Sequence, residues 1–498
     1  MFAPSSDIFR KYTDGETFAK IRGYGTVAEM WKHCADEYGG RTAVEDNGSV
    51  YSYEQLDRDV AAFRGLLAGE GMIGILVENS YDFVKVFLAA ATAGRPAVIM
   101  PPQLPAEAVL GITAGFGLKA LAVSPALSAK TAPAAERIPG IKIVSSADSG
   151  EPVPAADVKP GAPCAVMFTG GTTGKSKAAI LSNEAVMQGT VNGCYGYRDV
   201  FFQRYLLVLP FSHVFGLIRN LMTSLYTGSA LFICRDNKNM FRDIAVFRPT
   251  VMVMVPALAE MALTLSRKFG RNMLGPDLKY IICGAAAVPP YLIGEYAKEG
   301  ISLFPGYGLT ESANLVSGNP ECATKPESVG IPYPGQELKL ENGELWIRGK
   351  NIMTGYAGGI PSFTEDGWFR TGDLARFDEE GFLYITGRIK EIIVLPNGEN
   401  VSPAEVEAHF SALDCVQDCE LYEDTSDNGT RILVLEVLPR MTELGKIPEA
   451  ERGAYLTGKI NEVNATLPGY QRFSRLIIRD ADFPRSPSMK ILRHARAL

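Results

Sequence analysis

A chain of 498 residues with 46% apolar and 21% charged side chains has the composition of a soluble globular protein, and its length exceeds what one hydrophobic core normally supports, so two or more domains are expected. A net charge of −7 without a long basic run argues against nucleic acid as a partner. No uninterrupted apolar stretch reaches the length of a membrane span, because Arg95 and Pro96 break the longest candidate, residues 86–100.

The N-terminus, M-F-A-P-S-S-D-I-F-R-K, lacks signal-peptide architecture. Eight scattered cysteines, most in apolar contexts such as Cys164, Cys234 and Cys283, read as reduced, buried thiols of a cytoplasmic protein. Cys415 and Cys419 form the one close pair, and C-x-x-x-C without a second pair or nearby histidines is not a zinc signature. No internal repeat or low-complexity tract is present. Continuous apolar runs at 73–77, 120–123, 164–168, 206–209, 251–255 and 280–283 predict buried strands, with helices such as 81–93 and 257–269 between them. Such strands alternating with helices predict an α/β fold with parallel sheets covered on both faces. Segment 337–348 then alternates about Asn342-Gly343, a type I′ hairpin signal, and 377–385 predicts a second hairpin turning at Glu380-Gly381. This β-rich stretch closes a large domain, 1–386. The charged, glycine-led junction 387–391 predicts a hinge, and 392–498 a small α+β domain of about 110 residues. There, Ser402 is the expected N-cap, Pro403 the first helical residue and Glu405 the partner in a capping box. Strands at 432–437 and 476–478 flank a helix near 450–463.

The segment richest in chemistry is 169–177, T-G-G-T-T-G-K-S-K, directly after the apolar run 164–168. Gly170, Gly171 and Gly174 let backbone N–H groups turn toward an anion with no Cβ in the way. Thr169, Thr172 and Thr173 add hydroxyl donors and Lys177 adds charge, which makes a phosphate cradle of what could otherwise be a surface turn. The spacing is not that of a Walker A loop: five residues before Gly174 stands Thr169, not glycine. The next helix is expected to start at Ser182 or Asn183, with Glu184 in its first turn. A kinase or GTPase reading therefore fails.

The loop resembles that of the adenylate-forming enzymes (acyl-CoA synthetases, luciferases and adenylation domains), roughly [ST]-[SG]-G-[ST]-T-G-x-P-K-G, with Ser176 in place of the proline and Ala178 in place of the last glycine. Further motifs follow in the family's order. G-Y-G-L-T-E-S at 306–312 resembles Y-G-x-T-E, and W-F-R-T-G-D-L at 368–374 resembles [WF]-x-x-T-G-D. Gly387-Arg388 with Lys390 and Gly398 resembles the hinge motif, and P-R-S-P-S-M-K-I-L-R at 484–493 resembles the terminal P-R-T-x-x-G-K-I-x-R, with Met489 where the family has glycine. The resemblance runs from about Thr26, through Y-S-Y-E-Q-L at 51–56, to the C-terminus.

The resemblance implies transfer of AMP from ATP to a carboxylic acid, then capture of the acyl group by a thiol. The carboxylate itself attacks the α-phosphorus, so no enzyme nucleophile is required, in keeping with only four histidines and no Ser/His/Asp signature. The protein must supply positioning and countercharge. On residue type alone Glu311 reads as a helix-start carboxylate and Asp373 as a turn aspartate. The resemblance makes Glu311 the Mg²⁺ ligand, Thr310 a partner of the α-phosphate and Asp373 the acceptor of the ribose hydroxyls. It makes Arg388 a support for sugar or phosphate and Lys490 the catalytic cation. Tyr307 and Ile385 would sandwich the adenine between them, beside Gly306 and Gly308. Gly284, Ala285 and Ala286 would leave room for the purine, although a plain strand exit explains them nearly as well. His213, in F-S-H-V-F-G at 211–216, corresponds to an aromatic gate at the acyl pocket; a lone histidine among apolar residues is otherwise an ordinary core group. A rotation about Lys390 would move Lys490 out for the thiol step.

The family's amino-acid enzymes carry an aspartate shortly after that aromatic motif. Here 216–220, G-L-I-R-N, supplies a cation instead, which disfavours an α-amino acid. The segment 398–403 and the glutamates Glu405 and Glu407 look more like a CoA ligase than a peptide-synthetase domain. Only eight residues follow Lys490, so a carrier protein is expected, if at all, in trans. The expectation is thus an ATP- and Mg²⁺-dependent carboxylate–CoA ligase, with a ligase for an acyl-carrier protein and a catalytically idle acyl- or nucleotide-binding relative as alternatives.

Overall fold

The continuous apolar runs become the inner strands of two mostly parallel sheets. The structure, a computed structural model, describes residues 2–69, 71–169, 177–395, 399–426, 431–485, 491 and 493. One sheet has nine strands among these residues. It runs from Ile331–Pro332 through Ser317–Gly318, Ser302–Tyr307, Tyr280–Cys283, Val251–Met254, Arg204–Leu207, Ala230–Ile233 and Thr42–Asp46 to Ser49–Ser52. Its centre, Ser302–Tyr307 to Thr42–Asp46, is parallel. The second has, among the described residues, the seven strands Gly355–Tyr356, Ala178–Ser182, Pro163–Phe168, Ala97–Ile99, Ile73–Leu76, Ala120–Val123 and Lys142–Ser145. Its first two strands are antiparallel additions to a parallel set. Helices cover the faces, as parallel sheets require. Tyr81–Thr92 starts at Ser80, whose side chain accepts from the Phe83 N–H, and is buried along nearly its whole length. The helix after the Gly/Thr segment is Asn183–Asn192, capped by Ser182, which accepts from the Ala185 N–H.

The strands Gln336–Glu341, Glu344–Gly349, Phe369–Phe377 and Leu383–Arg388 form an antiparallel sheet. Asn342 and Gly343 hold φ of 50° and 82°, the two positive values that a type I′ turn needs. Beyond it, Val416–Thr425, Arg431–Pro439 and Arg475–Ile478 make a further sheet. The helices Pro403–Ser411 and Glu449–Thr466 pack there around a separate apolar core that includes Val406, Phe410, Leu421, Leu435 and Ile460.

The cap expected at Ser402 forms only in part. Ser402 is the N-cap and Pro403 the first helical residue, but no capping box forms with Glu405. The Ser402 hydroxyl instead donates to the Thr386 carbonyl at 2.9 Å. Gly387 permits that approach, since a Cβ there would stand 2.2 Å from Ser402 Oγ. A capping box does form between Thr26 and Glu29, at the start of Val27–Tyr38.

Candidate active site

Loops leaving the C-terminal ends of parallel strands carry the chemistry of open α/β folds. Strand Ser302–Tyr307 ends at Gly308 and the short turn Thr310–Ser312. Only glycine fits at 308: a Cβ would lie 1.2 Å from the Asn314 carbonyl oxygen. This tight return holds Thr310 and Glu311 at the strand end, where the Glu311 carbonyl accepts from the Met353 N–H at 2.7 Å.

Tyr356 ties Glu311 to the Gly/Thr segment. It pairs with Ala179, two residues past Lys177. Its hydroxyl donates to Glu311 Oε1 at 2.5 Å, and Lys177 Nζ stands 4.5 Å from its ring centroid. One ring thus carries a lysine on its face and a carboxylate at its tip. Burial, and then the Glu311 charge, push the Tyr356 phenol well above the usual tyrosine range, so it remains a donor. At the base of the segment the Thr169 N–H donates to the Lys177 carbonyl at 2.7 Å, and the Lys177 N–H to Thr169 Oγ1 at 3.3 Å. Gly170, Gly171, Thr172, Thr173 and Gly174 lie outside the described residues.

A second cluster centres on Asp373, which is 2% exposed. The Tyr307 hydroxyl donates to one of its oxygens and Arg388 Nε–H to the other. Asp373 and Arg388 are direct cross-strand partners, so sheet register creates the pair. Gly372, with φ of 73°, turns its N–H to Glu344 Oε1 at 3.0 Å. Burial, then the Asp373 charge, raises the Tyr307 phenol well above its ordinary range. Burial acts to lower the Arg388 pKa, but the Asp373 carboxylate outweighs it and the net direction is upward. Ile385 pairs with Ala375 on the same sheet, and both Ile385 and Tyr307 pack on the main apolar core.

Gly284 leaves strand Tyr280–Cys283 between two neighbours. A Cβ there would lie 3.3 Å from the Gly306 carbonyl oxygen and 3.6 Å from the Phe215 ring. Ala285 follows with φ of 67°, and Ala286 is exposed. His213 precedes the π-helix Phe215–Met222, where its Nδ1 accepts from the Phe215 N–H at 3.2 Å. The region 213–215 therefore meets the strand-end loop at Gly284.

Lys390 is exposed in the short turn Ile389–Glu391. Lys490 lies outside the described residues; its flanking Arg485 and Ile491 form an antiparallel bridge. Arg493 Nη1–H donates to Glu407 Oε1 at 2.7 Å, and Arg493 Nε is 3.8 Å from Glu391 Oε2, which ties the terminal motif to the turn at Lys390. Among the described residues no group of three His, Cys, Asp or Glu side chains could hold a metal. A divalent cation beside Glu311 would draw its other ligands from phosphate and water, the donors that Mg²⁺ prefers. Sequence reasoning missed Tyr356. Its strand, Gly355–Tyr356, is two residues long and too short for any period to reveal.

The family described as AMP-binding enzyme matches residues 31–357. The chain is 31% identical over 440 residues to indoleacetate–CoA ligase of Aromatoleum aromaticum, covering 80% of this chain and 85% of that protein. It is 27% identical over 407 residues to feruloyl-CoA synthase of an Amycolatopsis species, covering 76% and 81%. The crystal structure of the anthranilate CoA ligase AuaEII with anthranoyl-AMP matches with a TM-score of 0.83 at 19% identity, over 95% of this chain and 97% of that one. ATP-bound MatB from Rhodopseudomonas palustris matches with a TM-score of 0.81 at 21% identity, over 93% and 97%. At these identities the structural likeness establishes the fold. No helix among the described residues is long and apolar enough to cross a membrane.

Proposed function

The chain belongs to the AMP-binding enzyme family, and on that premise we propose that it is an ATP-dependent carboxylate–CoA ligase, releasing AMP and pyrophosphate through an acyl-adenylate. One observation carries the reading: Tyr356 brings Lys177 and Glu311 together from segments far apart in sequence. A cation and a carboxylate in register on one ring suit a magnesium–triphosphate, which needs charge of both signs.

In the first half-reaction a carboxylate oxygen of the acid attacks the α-phosphorus, and the bond to pyrophosphate breaks. Residues 170–174 and Lys177 cradle the phosphates, and Thr310 hydrogen-bonds the α-phosphate. Glu311 holds Mg²⁺, which when bound offsets phosphate charge. Asp373, fixed by Tyr307 and Arg388, accepts from the ribose hydroxyls, while Gly284, Ala285, Ala286, Gly306, Gly308 and Ile385 leave a slot for the purine. Lys490 stabilises charge on the five-coordinate phosphorus. In the second half-reaction the CoA sulfur, losing its proton, attacks the acyl carbon and AMP leaves. Residues 387–391 act as the hinge, about Lys390, between a body of residues 1–386 and a mobile unit of 392–498. His213 and Phe215 line the acyl side. Eight free, buried cysteines support a reducing compartment, the cytoplasm.

The test is carboxylate-dependent exchange of labelled pyrophosphate into ATP over a panel of acids, followed by thioester formation with CoA. Exchange with no acid would reject the ligase. Exchange with thioester formed only on a phosphopantetheinyl protein would replace CoA by a carrier.

A further inference from the structure

Arg219 is a charge that the proposed reaction leaves unused. It lies in Phe215–Met222, is 1% exposed, and its Nε and Nη1 have no hydrogen-bond partner. Its surroundings are phenolic: the Tyr197 ring centroid is 5.2 Å from the guanidinium carbon, and Tyr205 and Tyr333 are close enough to act on its charge. Both side-chain polar atoms of Asn220 are likewise buried without a partner, and the Tyr205 hydroxyl has no close hydrogen bond, only the Arg219 guanidinium as a polar neighbour. Burial pushes the Tyr205 phenol up to about 12, so it stays a neutral donor beside the guanidinium.

A tyrosine cage softens a buried guanidinium but cannot neutralise it, and an uncompensated buried charge is among the costliest features of an interior. A single such cation with unpaired donors is a reasonable structural accident; together with a neutral hydroxyl at its side, whose nearest charge is the guanidinium, it forms half of an anion-binding site. The location supplies the other half of the argument. Phe215, four residues earlier on the same helix, abuts Gly284 at the strand end where the nucleotide and acid are proposed to meet. Arg219 follows about one turn later on that helix. A substrate that extends past Phe215 between this helix and the sheet would bring its far end toward Arg219 only by opening that packed region, which the proposal requires of the bound acid.

We propose that Arg219 pairs with a second carboxylate of the substrate, so that the acid activated is a dicarboxylic acid whose remote carboxylate is bound by Arg219 with the Tyr205 hydroxyl beside it. The proposal rests on the ligase reading above and adds the substrate class. An Arg–carboxylate pair shielded from water is strong and selective, because a monoacid leaves the guanidinium unpaired in the complex.

The experiment compares straight-chain and aromatic dicarboxylic acids with monocarboxylic acids of equal carbon number, by pyrophosphate exchange and CoA thioester formation. At least one diacid is expected to exceed its monoacid counterpart by about 100-fold or more in kcat/KM, since sites built around a polar group discriminate strongly against analogues lacking it. In Arg219→Met that ratio collapses, chiefly through KM, while Arg219→Lys keeps part of it. Arg219→Met is also expected to melt at or above the wild-type temperature, because it removes an unpaired buried charge. If monoacids exchange as well as diacids, the Arg219 proposal is wrong and the ligase reading stands. If no acid of either series exchanges, both fall. A variant Arg219→Met that melts earlier and loses activity on every acid equally would make Arg219 a structural charge and overturn the proposal.

Discussion

Replacing Tyr356 by phenylalanine removes one oxygen and keeps the ring beneath Lys177. The lost group is the donor to Glu311 Oε1 at 2.5 Å, at a residue 9% exposed, where water has little access to replace it. Hydrogen bonds to charged groups are worth about 1.5–3 kcal/mol net. If that bond fixes which Glu311 oxygen faces the cation, its loss transfers to the transition state as about 10- to 150-fold in kcat/KM. Pyrophosphate exchange measured as a function of magnesium should show that loss together with a higher magnesium requirement. Tyr356→Leu should lose more, because it also removes the cation–π contact with Lys177, worth about 0.5–2 kcal/mol. The phenol's pKa is raised in the folded protein, so the hydrogen bond is fully present below the unfolded value of about 10 and is lost only as pH rises through the higher folded value. The wild-type exchange rate should therefore show no loss from Tyr356 ionisation between about pH 7 and 10. An exchange rate and magnesium requirement in Tyr356→Phe equal to wild type would refute the role assigned to this tyrosine.

Asp373→Asn should weaken ATP binding about 10-fold or more by loss of an ionised acceptor, read by calorimetric titration; an unchanged Kd removes the ribose role. Gly308→Ala forces a methyl against the Asn314 carbonyl and should cost about 1–3 kcal/mol in thermal or denaturant unfolding, with a larger loss in exchange. A stable, fully active variant would mean that the strand end repositions freely. Lys490→Ala should cut adenylation by about 10²–10³ and largely spare thioester formation from preformed acyl-AMP; equal losses in both would contradict the two-position mechanism.

What was legible in the sequence was what local chemistry decides. Ile73–Leu76 and Ala120–Val123 are buried at every position, so an unbroken apolar run announces them. Asn342-Gly343 fixes its hairpin from two residues. The strand expected at 206–209 lies instead at Arg204–Leu207, because its parallel pairing with Ala230–Ile233 starts at Arg204, and pairing partners leave no mark on the run itself. The capping box at Ser402 is overruled by a contact with Thr386 that depends on Gly387, a tertiary approach that outcompetes a local motif. In the candidate site, the motif residues could be named one by one from the sequence. Their joining could not: Tyr356 meets Glu311 through a two-residue strand paired across about 175 positions, a separation at which only tertiary structure sets contacts. Arg219 was visible as a cation, but its isolation is a property of three tyrosines brought in from other elements.

The proposed rotation of residues 392–498 needs contacts with the large body that can be exchanged for water. Several of these, among the described residues, are polar. Arg440 Nε–H donates to Glu260 Oε1 at 2.9 Å while its guanidinium lies 4.2 Å from the Tyr291 centroid, and Arg267 Nη1 is 3.5 Å from Glu443 Oε1. The apolar core around Val406 and Phe410 is separate from that of the large body, so a rigid rotation leaves both cores intact. Surface ion pairs such as Arg267–Glu443 contribute little, about 0–1 kcal/mol, and re-form with water readily. Arg440–Glu260 differs: its side chains are 8% and 14% exposed, so parting them requires hydrating two shielded charges. That pair, with the Ser402–Thr386 hydrogen bond, is therefore a latch on the orientation seen here. A ligand can release it only through contacts made better in the rotated arrangement than in this one, which assigns to CoA or the acyl-adenylate, rather than to the hinge itself, the free energy of the switch.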